Sequence, residues 1–191
     1  NVGALDEKMR LLVGNVMVSS SFIAYIAPFN AQFRTLLTRD KWIPDVTNRA
    51  IPIGLGFEPM HLLSNPSSIA AWRTQGLPAD PLSSENAAII TSCSRFPLII
   101  DPQLQALAWI TTREEPNGLV RCSLSQKNYL EHVVRALEEG LPLLIENMGE
   151  SIDAVLDNMI SRAFTKKGSK LQVKLGDRDT DLLVLKDADG A

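Results

Sequence analysis

The sequence predicts a mixed α/β fold in which helices cover both faces of a parallel sheet, preceded by a mostly helical segment. In the second half, short apolar runs alternate with stretches of helical periodicity, the order typical of a three-layer α/β architecture. In the first half, strand-like alternation is absent and short apolar patches are interrupted by Pro44, Pro52, Pro59, Pro66 and Pro78. We therefore predict a helical lead-in segment at residues 1–80 and an α/β domain at residues 81–191.

The chain has 191 residues, of which 45% are hydrophobic and 21% charged, so it is long and apolar enough to bury a core. Its net charge of -3 provides no overall field for binding nucleic acid or an anionic membrane. It has two cysteines without metal or redox spacing, which favours a reducing compartment. Because it begins with Asn1, we expect it to be a piece of a longer protein.

The first predicted helix has apolar residues three and four positions apart, beginning at Leu5 and ending before Pro28. No charged residue lies between Leu11 and Phe33, a length sufficient to cross a bilayer. However, the stretch includes Asn15 and three consecutive serines, whose polar groups would lack partners in lipid. A buried helix is therefore favoured over a membrane span.

Two further helices are predicted before the sheet. The first covers Ser67 to Gln75 and stops at Gly76, and the second covers Ser84 to Ser92. The apolar run from Phe96 to Ile100 then predicts a strand buried on both faces. Asp101 is predicted as the N-cap of the next helix and Pro102 as its first residue.

The strand-helix unit is repeated along the chain. Residues 119–123 predict a second strand, after which Ser125 is predicted to cap a helix. Residues 141–145 predict a third strand, and residues 152–163 form one apolar helical face that is predicted to end by Gly168. Strands and helices in this order predict a parallel sheet.

Ligands of parallel sheets bind where strands end, so the loop after the first predicted strand is a candidate nucleotide site. A phosphate-binding loop needs glycines for its backbone and a lysine for the outer phosphates. This position instead holds a cap sequence with neither residue type: Asp101, Pro102, Gln103, Leu104 and Gln105. The missing N–H of the proline and the negative charge of the aspartate would disfavour a triphosphate.

The third predicted strand ends in Glu146-Asn147, which resembles half of a Walker B motif. A carboxylate here would be able to hold Mg²⁺ or orient a water, although any buried strand ending in Glu has this pattern. His61 and His132 do not combine with a cysteine at metal-ligand spacing, so no metal site is predicted.

Two further groups of residues have structural interpretations. The basic tract that includes Lys166, Lys167, Lys170 and Lys174 is predicted as a solvated face at a helix end and along the next strand. The three tryptophans show no arrangement for stacking bases and are predicted to anchor the core or contacts between modules.

Several motifs in this order resemble the dynein heavy chain, over roughly residues 10 to 181. They are Gly14-Asn15-Val16, Tyr25 to Phe29, Gly76-Leu77-Pro78, Ser84-Glu85-Asn86, Ser94 to Gln103, Trp109-Ile110, Gly140 to Asn147, Gly149-Glu150, Asp153 and Leu175-Gly176-Asp177. The part resembled is the fifth AAA+ module of the motor ring, of the type called ATP-binding dynein motor region. Asp-Pro-Gln followed by Trp-Ile is more similar to axonemal than to cytoplasmic dyneins.

The resemblance implies an AAA+ P-loop-like fold and a parent chain that is an ATP-driven, minus-end-directed microtubule motor using ATP and Mg²⁺. In that family the fifth module has lost nucleotide binding and transmits force, which implies no catalytic residue and no cofactor in this module. The implied partners are neighbouring AAA+ modules and other dynein chains, with microtubules reached only through a stalk outside this segment, and neither nucleic acid nor membrane. The implied location is the cytoplasmic cytoskeleton, in a ciliary or flagellar axoneme.

The sequence departs from the family at two places. Leu104 stands where the family often keeps a glycine, which makes phosphate access worse. At the end, the family's central strand has no obvious counterpart, so either the sheet is truncated or Leu182 to Leu185 fills the vacant position. Two alternative functions stay open: a P-loop-like NTPase that binds nucleotide in a non-standard way through Glu146, and an interaction scaffold outside any motor.

Overall fold

The computed structural model describes residues 2–168 and 170–183. The chain divides into two compact units, Asn1–Trp109 and Ile110–Ala191, and each is described here by itself. The domain division proposed after residue 80 stays a prediction.

The first unit is helical. Its elements are α1 (Val2–Tyr25), α2 (Ala31–Thr35), a π-helix (Leu36–Trp42), α3 (Ile43–Asn48), α4 (Met60–Leu63), α5 (Pro66–Thr74), α6 (Pro81–Ser92) and the start of α7 (Gln105–Glu114). The helices predicted before residue 93 are confirmed. Asn65 and Asp80 cap α5 and α6 by accepting backbone N–H groups, and a proline follows each cap.

A small core holds this unit together. Phe22 of α1 and Ile26, which directly follows α1, pack with Ile89 of α6, and partly buried side chains from the π-helix and α4 surround them. The predicted apolar face of α1 is thus buried only toward its C-terminal end. In the N-terminal half, apolar side chains such as Leu5, Met9 and Leu12 are exposed. No helix in the described ranges is long and apolar enough to span a bilayer.

The strand predicted from Phe96 to Ile100 is wrong. These residues form neither helix nor strand, and the side chains of Leu98 and Ile100 are 76% and 90% exposed. An extended segment becomes a strand only when a neighbour accepts and donates its backbone hydrogen bonds. No strand of the described ranges pairs with this segment, so its apolar side chains have no sheet to cover.

The second unit contains a two-stranded parallel sheet and a three-stranded antiparallel sheet. Its elements, after the end of α7 and a 3-10 turn at Glu115–Asn117, are β1 (Val120–Ser123), α8 (Tyr129–Glu139), β2 (Leu143–Glu146), a 3-10 turn (Ala154–Leu156), α9 (Asp157–Ile160), β3 (Thr165–Lys167), β4 (Lys170–Leu175) and β5 (Arg178–Leu182). β1 pairs with β2 in parallel, with Val120 opposite Leu143 and Ser123 opposite Glu146. The mixed α/β class with parallel strands and a helical N-terminal part is confirmed.

One apolar core joins both sheets of this unit to α8 and α9. Its buried members are Cys122, Val133, Val134, Leu156, Met159, Val173 and Leu175. α8 supplies the middle of this core because its apolar residues recur at helical spacing on one side.

Two helix boundaries differ from the prediction. The helix predicted at 152–163 is only the short 3-10 turn and α9, because Arg162 takes a left-handed backbone (φ 55°) and the chain turns into β3. Gly168 lies in the β3–β4 turn rather than at a helix end, so Lys166 and Lys167 lie on a strand. α8 begins at Tyr129, and Ser125 lies in the preceding turn without capping it.

The alternative in which Leu182 to Leu185 fills the vacant position of the parallel sheet is not supported at Leu182. This residue ends β5, which pairs antiparallel with β4, and the Leu183 N–H donates to the Leu137 carbonyl at the end of α8. Leu182 therefore does not join the parallel sheet. Val184 and Leu185 lie outside the described residues.

Candidate functional site

The Asp101 carboxylate occupies the N-terminus of α7. Its Oδ1 accepts the Gln105 N–H at 3.0 Å and its Oδ2 accepts the Leu107 N–H at 2.9 Å. The helix begins at Gln105, so the predicted start at Pro102 is wrong, yet the same side chain still satisfies the free amides. An internal anion thus occupies two amides at the helix N-terminus, the kind of position at which helices can bind external anions.

Residues Pro102 to Leu104 form a tight turn between Asp101 and the helix. The Leu104 N–H donates to the Asp101 carbonyl at 3.2 Å, and Leu104 has a positive φ of 57°. Glycine adopts this conformation without steric cost, whereas a leucine is strained in it. The backbone at position 104 therefore has the shape that a glycine would favour, while the Leu104 side chain is 61% exposed.

α7 is held in the first unit by Trp109. This side chain is 1% exposed and packs edge-on against Trp72 of α5, with ring centroids 6.3 Å apart. Its Nε1–H donates to Gln75 Oε1 at 3.2 Å. Both tryptophans therefore anchor the core of this unit.

Glu146 lies at the carboxyl end of β2 and is tied to Arg121 of β1. The Arg121 Nε–H donates to Glu146 Oε1 at 2.6 Å, and the side chains are 45% and 23% exposed respectively. This hydrogen bond raises the pKa of Arg121. Burial, and to a lesser extent the negative charge of Glu146, raises the pKa of the Cys122 thiol. The carboxylate is therefore already compensated by a protein cation.

The chain leaves β2 through Asn147, which takes a left-handed backbone with φ 53°. Further along this loop, Asp153 Oδ2 accepts the Tyr129 hydroxyl at 2.5 Å, and its Oδ1 accepts the Val155 N–H at 3.0 Å. These bonds lower the pKa of Asp153, and the Asp153 hydrogen bond raises the pKa of Tyr129 to about 12. The loop after β2 is thereby fastened to the start of α8.

The predicted site residues are divided between the units. Asp101, Pro102, Gln103, Leu104 and Gln105 belong to the first unit, and Glu146 and Asn147 to the second. Within the described ranges, no group of three or more histidine, cysteine or acidic side chains is arranged to hold a metal. Half-buried His132 of α8 contacts the residue that precedes this helix, with Nε2 3.2 Å from Asn128 Nδ2.

Sequence reasoning missed Arg34 and Arg121. The Arg34 side chain is 4% exposed and makes four hydrogen bonds: to the carbonyls of Ala27 and Phe29, to Glu85 Oε2 at 2.9 Å and to Asn86 Oδ1 at 2.8 Å. The one sequence signal for this contact was the Ser84-Glu85-Asn86 motif, whose acidic and amide side chains can accept hydrogen bonds from an arginine. Arg121 was hidden because its contact depends on the register of two strands.

With these features in view, the comparisons with known proteins assign the family. A family model described as the ATP-binding dynein motor region matches residues 70–183. This match covers more than half of the chain, so the chain belongs to the family of ATP-binding dynein motor regions.

Curated relatives extend the similarity over most of the chain. It is 47% identical over 175 residues to the flagellar outer arm dynein beta chain of Chlamydomonas reinhardtii, and 42% identical over 174 residues to dynein axonemal heavy chain 5 of mouse. It is also 39% identical over 176 residues to human dynein axonemal heavy chain 8. These alignments cover 91–92% of this chain but only 4% of each relative.

Proposed function

We propose that the chain is the fifth AAA+ module of an axonemal-type dynein heavy chain, a structural part that transmits force without binding or hydrolysing ATP. The parent protein is then an ATP-driven, minus-end-directed microtubule motor of a ciliary or flagellar axoneme, whose other modules use ATP and Mg²⁺. Its partners are the neighbouring AAA+ modules and other dynein chains, and it meets microtubules only through the stalk. The relatives named above, all axonemal or flagellar dynein chains, support the axonemal assignment.

The observation that carries this proposal is the Asp101 carboxylate bound to two amides at the start of α7. A phosphate arriving at those amides would have to displace a covalently tethered anion, and would meet its negative charge if it remained. The turn also lacks a lysine to approach the outer phosphates. The family description names ATP binding, but the residues of this turn favour a module that has lost it.

The alternative, an NTPase module of non-standard binding mode, would use Glu146 to hold Mg²⁺. The Arg121 ion pair weighs against this role, because a cation must first displace the guanidinium from the carboxylate. Binding of nucleotide through Glu146 would therefore require the Arg121 ion pair to open.

A role in packing against neighbours is supported by the first two thirds of α1. Four exposed apolar side chains recur there at spacings of four, three and four residues: Leu5, Met9, Leu12 and Val16. Apolar side chains at this spacing form a single stripe along a helix, and a stripe left open to water favours contact with another element. Such contacts are what a force-transmitting module requires.

The proposal is tested by thermal unfolding of the 191-residue chain with Mg-ATP, with Mg-ADP and with Mg²⁺ alone. A ligand that binds only the folded chain at about 100 times its Kd adds about 2.7 kcal/mol to the free energy of unfolding. We expect a cooperative transition whose midpoint is the same in all three solutions. A midpoint that rises with either nucleotide but not with Mg²⁺ alone would instead support the NTPase alternative.

The Glu146→Gln variant separates the possible causes of a shift. If nucleotide binds through a metal on Glu146, this substitution abolishes the upward shift. If the shift persists in Glu146→Gln, the nucleotide is bound elsewhere. Either result overturns a nucleotide-inactive module.

A further inference from the structure

An open groove of about 350 Å³ lies on the first unit, beside α2 and the π-helix. It is lined by Gln32, Phe33, Thr35, Leu36 and Asp40. Its volume is at the lower end of the range for small-molecule sites, about 300–1,000 Å³, and suits one or two anchoring side chains of a protein partner. The proposed loss of nucleotide binding rests on Asp101 and Glu146, which are not among the residues that line this groove.

The two apolar side chains that line the groove, Phe33 and Leu36, are exposed, and together we call them its floor. Phe33 is 53% exposed and Leu36 is 39% exposed. Phe33 also packs against Phe29, with ring centroids 6.3 Å apart, and Phe29 is itself 40% exposed. Aromatic side chains that remain in water next to one another are typical of the central residues of protein interfaces.

The π-helix places an acidic group beside this floor. Leu36 and Asp40 lie four residues apart within it, and both line the groove together with Phe33. π-helical turns are rare and are often found at functional sites. In the described ranges, the Asp40 side chain has neither an ion pair nor a hydrogen bond, whereas neighbouring Arg39 is paired with Glu58. The groove therefore combines an apolar floor with an uncompensated negative charge.

From this combination we propose that the groove, defined by Phe33, Leu36 and Asp40, is a docking site for a protein segment that presents an arginine beside an aliphatic side chain. An arginine stem covers apolar surface while its guanidinium reaches a carboxylate, and the same cation is attracted by the face of a phenylalanine ring. The aliphatic neighbour packs on Leu36. The charge of Asp40 selects against acidic segments, since two carboxylates in one groove repel each other.

The test uses the 191-residue chain and short fluorescein-labelled alanine-based helical peptides. One peptide carries leucine and arginine four residues apart, and a matched peptide carries glutamate in place of the arginine. Fluorescence anisotropy is expected to show the arginine peptide binding at least about tenfold more tightly than the glutamate peptide. Free arginine amide serves as a competitor that lacks the aliphatic neighbour.

Three variants locate the binding. Asp40→Asn and Phe33→Ala are each expected to weaken the arginine peptide about tenfold, and Asp40→Arg is expected to reverse the preference in favour of the glutamate peptide. Asp6→Asn removes an exposed carboxylate of α1 outside the groove and is the matched control, expected to change nothing. Thermal melts show whether each variant is folded. If Phe33→Ala does not fold, Asp40→Asn still tests the proposal.

Four outcomes would overturn the proposal. They are no measurable binding of the arginine peptide at millimolar concentration, equal binding of the two peptides, an affinity unchanged by Asp40→Asn, and an equal loss in Asp6→Asn. Competition by free arginine amide at the same concentration as the peptide would make the occupant a small cation rather than a protein segment, and would also overturn it.

Discussion

At the scale of single residues, Leu104 carries backbone strain at the start of α7. Its φ of 57° is left-handed, and an L-residue with a Cβ pays about 1–2 kcal/mol there relative to the right-handed region. Its side chain is 61% exposed, so burial of the leucine side chain offsets little of this strain. The neighbouring Asp101 carboxylate keeps the turn in place through two hydrogen bonds to the helix.

We therefore expect Leu104→Gly to raise the free energy of unfolding by about 0.5–1 kcal/mol, because glycine adopts a positive φ without steric cost. Leu104→Ala is the matched control, since it removes the same exposed side chain but keeps the Cβ. Urea denaturation measures both variants. A gain in the alanine variant equal to that of glycine would show that loss of the exposed leucine, and not backbone relief, is the cause.

A pH effect is expected from Tyr129, whose pKa is raised to about 12 by its hydrogen bond to Asp153. The pKa of tyrosine in the unfolded chain is near 10. The contribution of this hydrogen bond to folding stability is therefore complete below pH 10 and is lost as the pH rises through about 12. Asp153 has a lowered pKa, so its contribution is present above its unfolded pKa near 4 and is lost as the pH falls through the folded value.

Phenolate absorbance measured against pH tests this assignment in a Tyr25→Phe background, where Tyr129 is the single tyrosine. The midpoint is expected near pH 12, and adding Asp153→Asn is expected to lower it. An unchanged midpoint in the asparagine variant would contradict the role of Asp153.

At the scale of elements, α1 is approached closely by the chain at residues 52–54. The Gly14 N–H lies 3.1 Å from the Pro52 carbonyl, and Asn15 Oδ1 accepts the Gly54 N–H at 3.0 Å. A Cβ built on Gly14 would lie 2.4 Å from the Pro52 oxygen. Gly14 therefore leaves room for the loop to approach the helix, and Asn15 binds the loop by a hydrogen bond. Neither helix propensity nor apolar spacing reveals this contact.

Gly14→Ala is expected to lower the free energy of unfolding by about 1–3 kcal/mol, because the new methyl group overlaps a backbone oxygen that has no rotamer to change. Gly3→Ala in the same helix is the control. Nothing lies within 4 Å of its added Cβ, so helix propensity alone predicts a small gain of up to about 1 kcal/mol. Thermal or urea unfolding that shows a gain in both variants would contradict the close approach.

At the scale of the whole molecule, the buried Arg34 network joins separate segments of the first unit. Arg34 of α2 binds the turn after α1 through Ala27 and Phe29, and it binds α6 through Glu85 and Asn86. Because the guanidinium is 4% exposed, its partners would lose both charge compensation and hydrogen bonds if it were removed. The packing of these segments against one another thus depends on one polar cluster as well as on the apolar core of the unit.

Arg34→Met is expected to destabilise the folded chain by about 3–5 kcal/mol, since it leaves Glu85 and two carbonyls without their donor. Arg49→Met, which breaks an exposed pair with Asp45 on α3, is expected to cost at most about 0.5 kcal/mol. Chemical denaturation of both variants provides the comparison. Equal losses would show that burial of Arg34 does not govern its contribution.

The sequence by itself determined the α/β class, the N-terminal helices, the two paired strands and the glycine- and lysine-free turn after Ile100. These follow from local spacing, capping and residue type, which act within a few positions of each other. The tertiary structure alone decided that residues 96–100 form no strand, that Arg121 neutralises Glu146 and that Arg34 is buried. A strand requires a paired neighbour and an ion pair requires a register, and both depend on residues far apart along the chain.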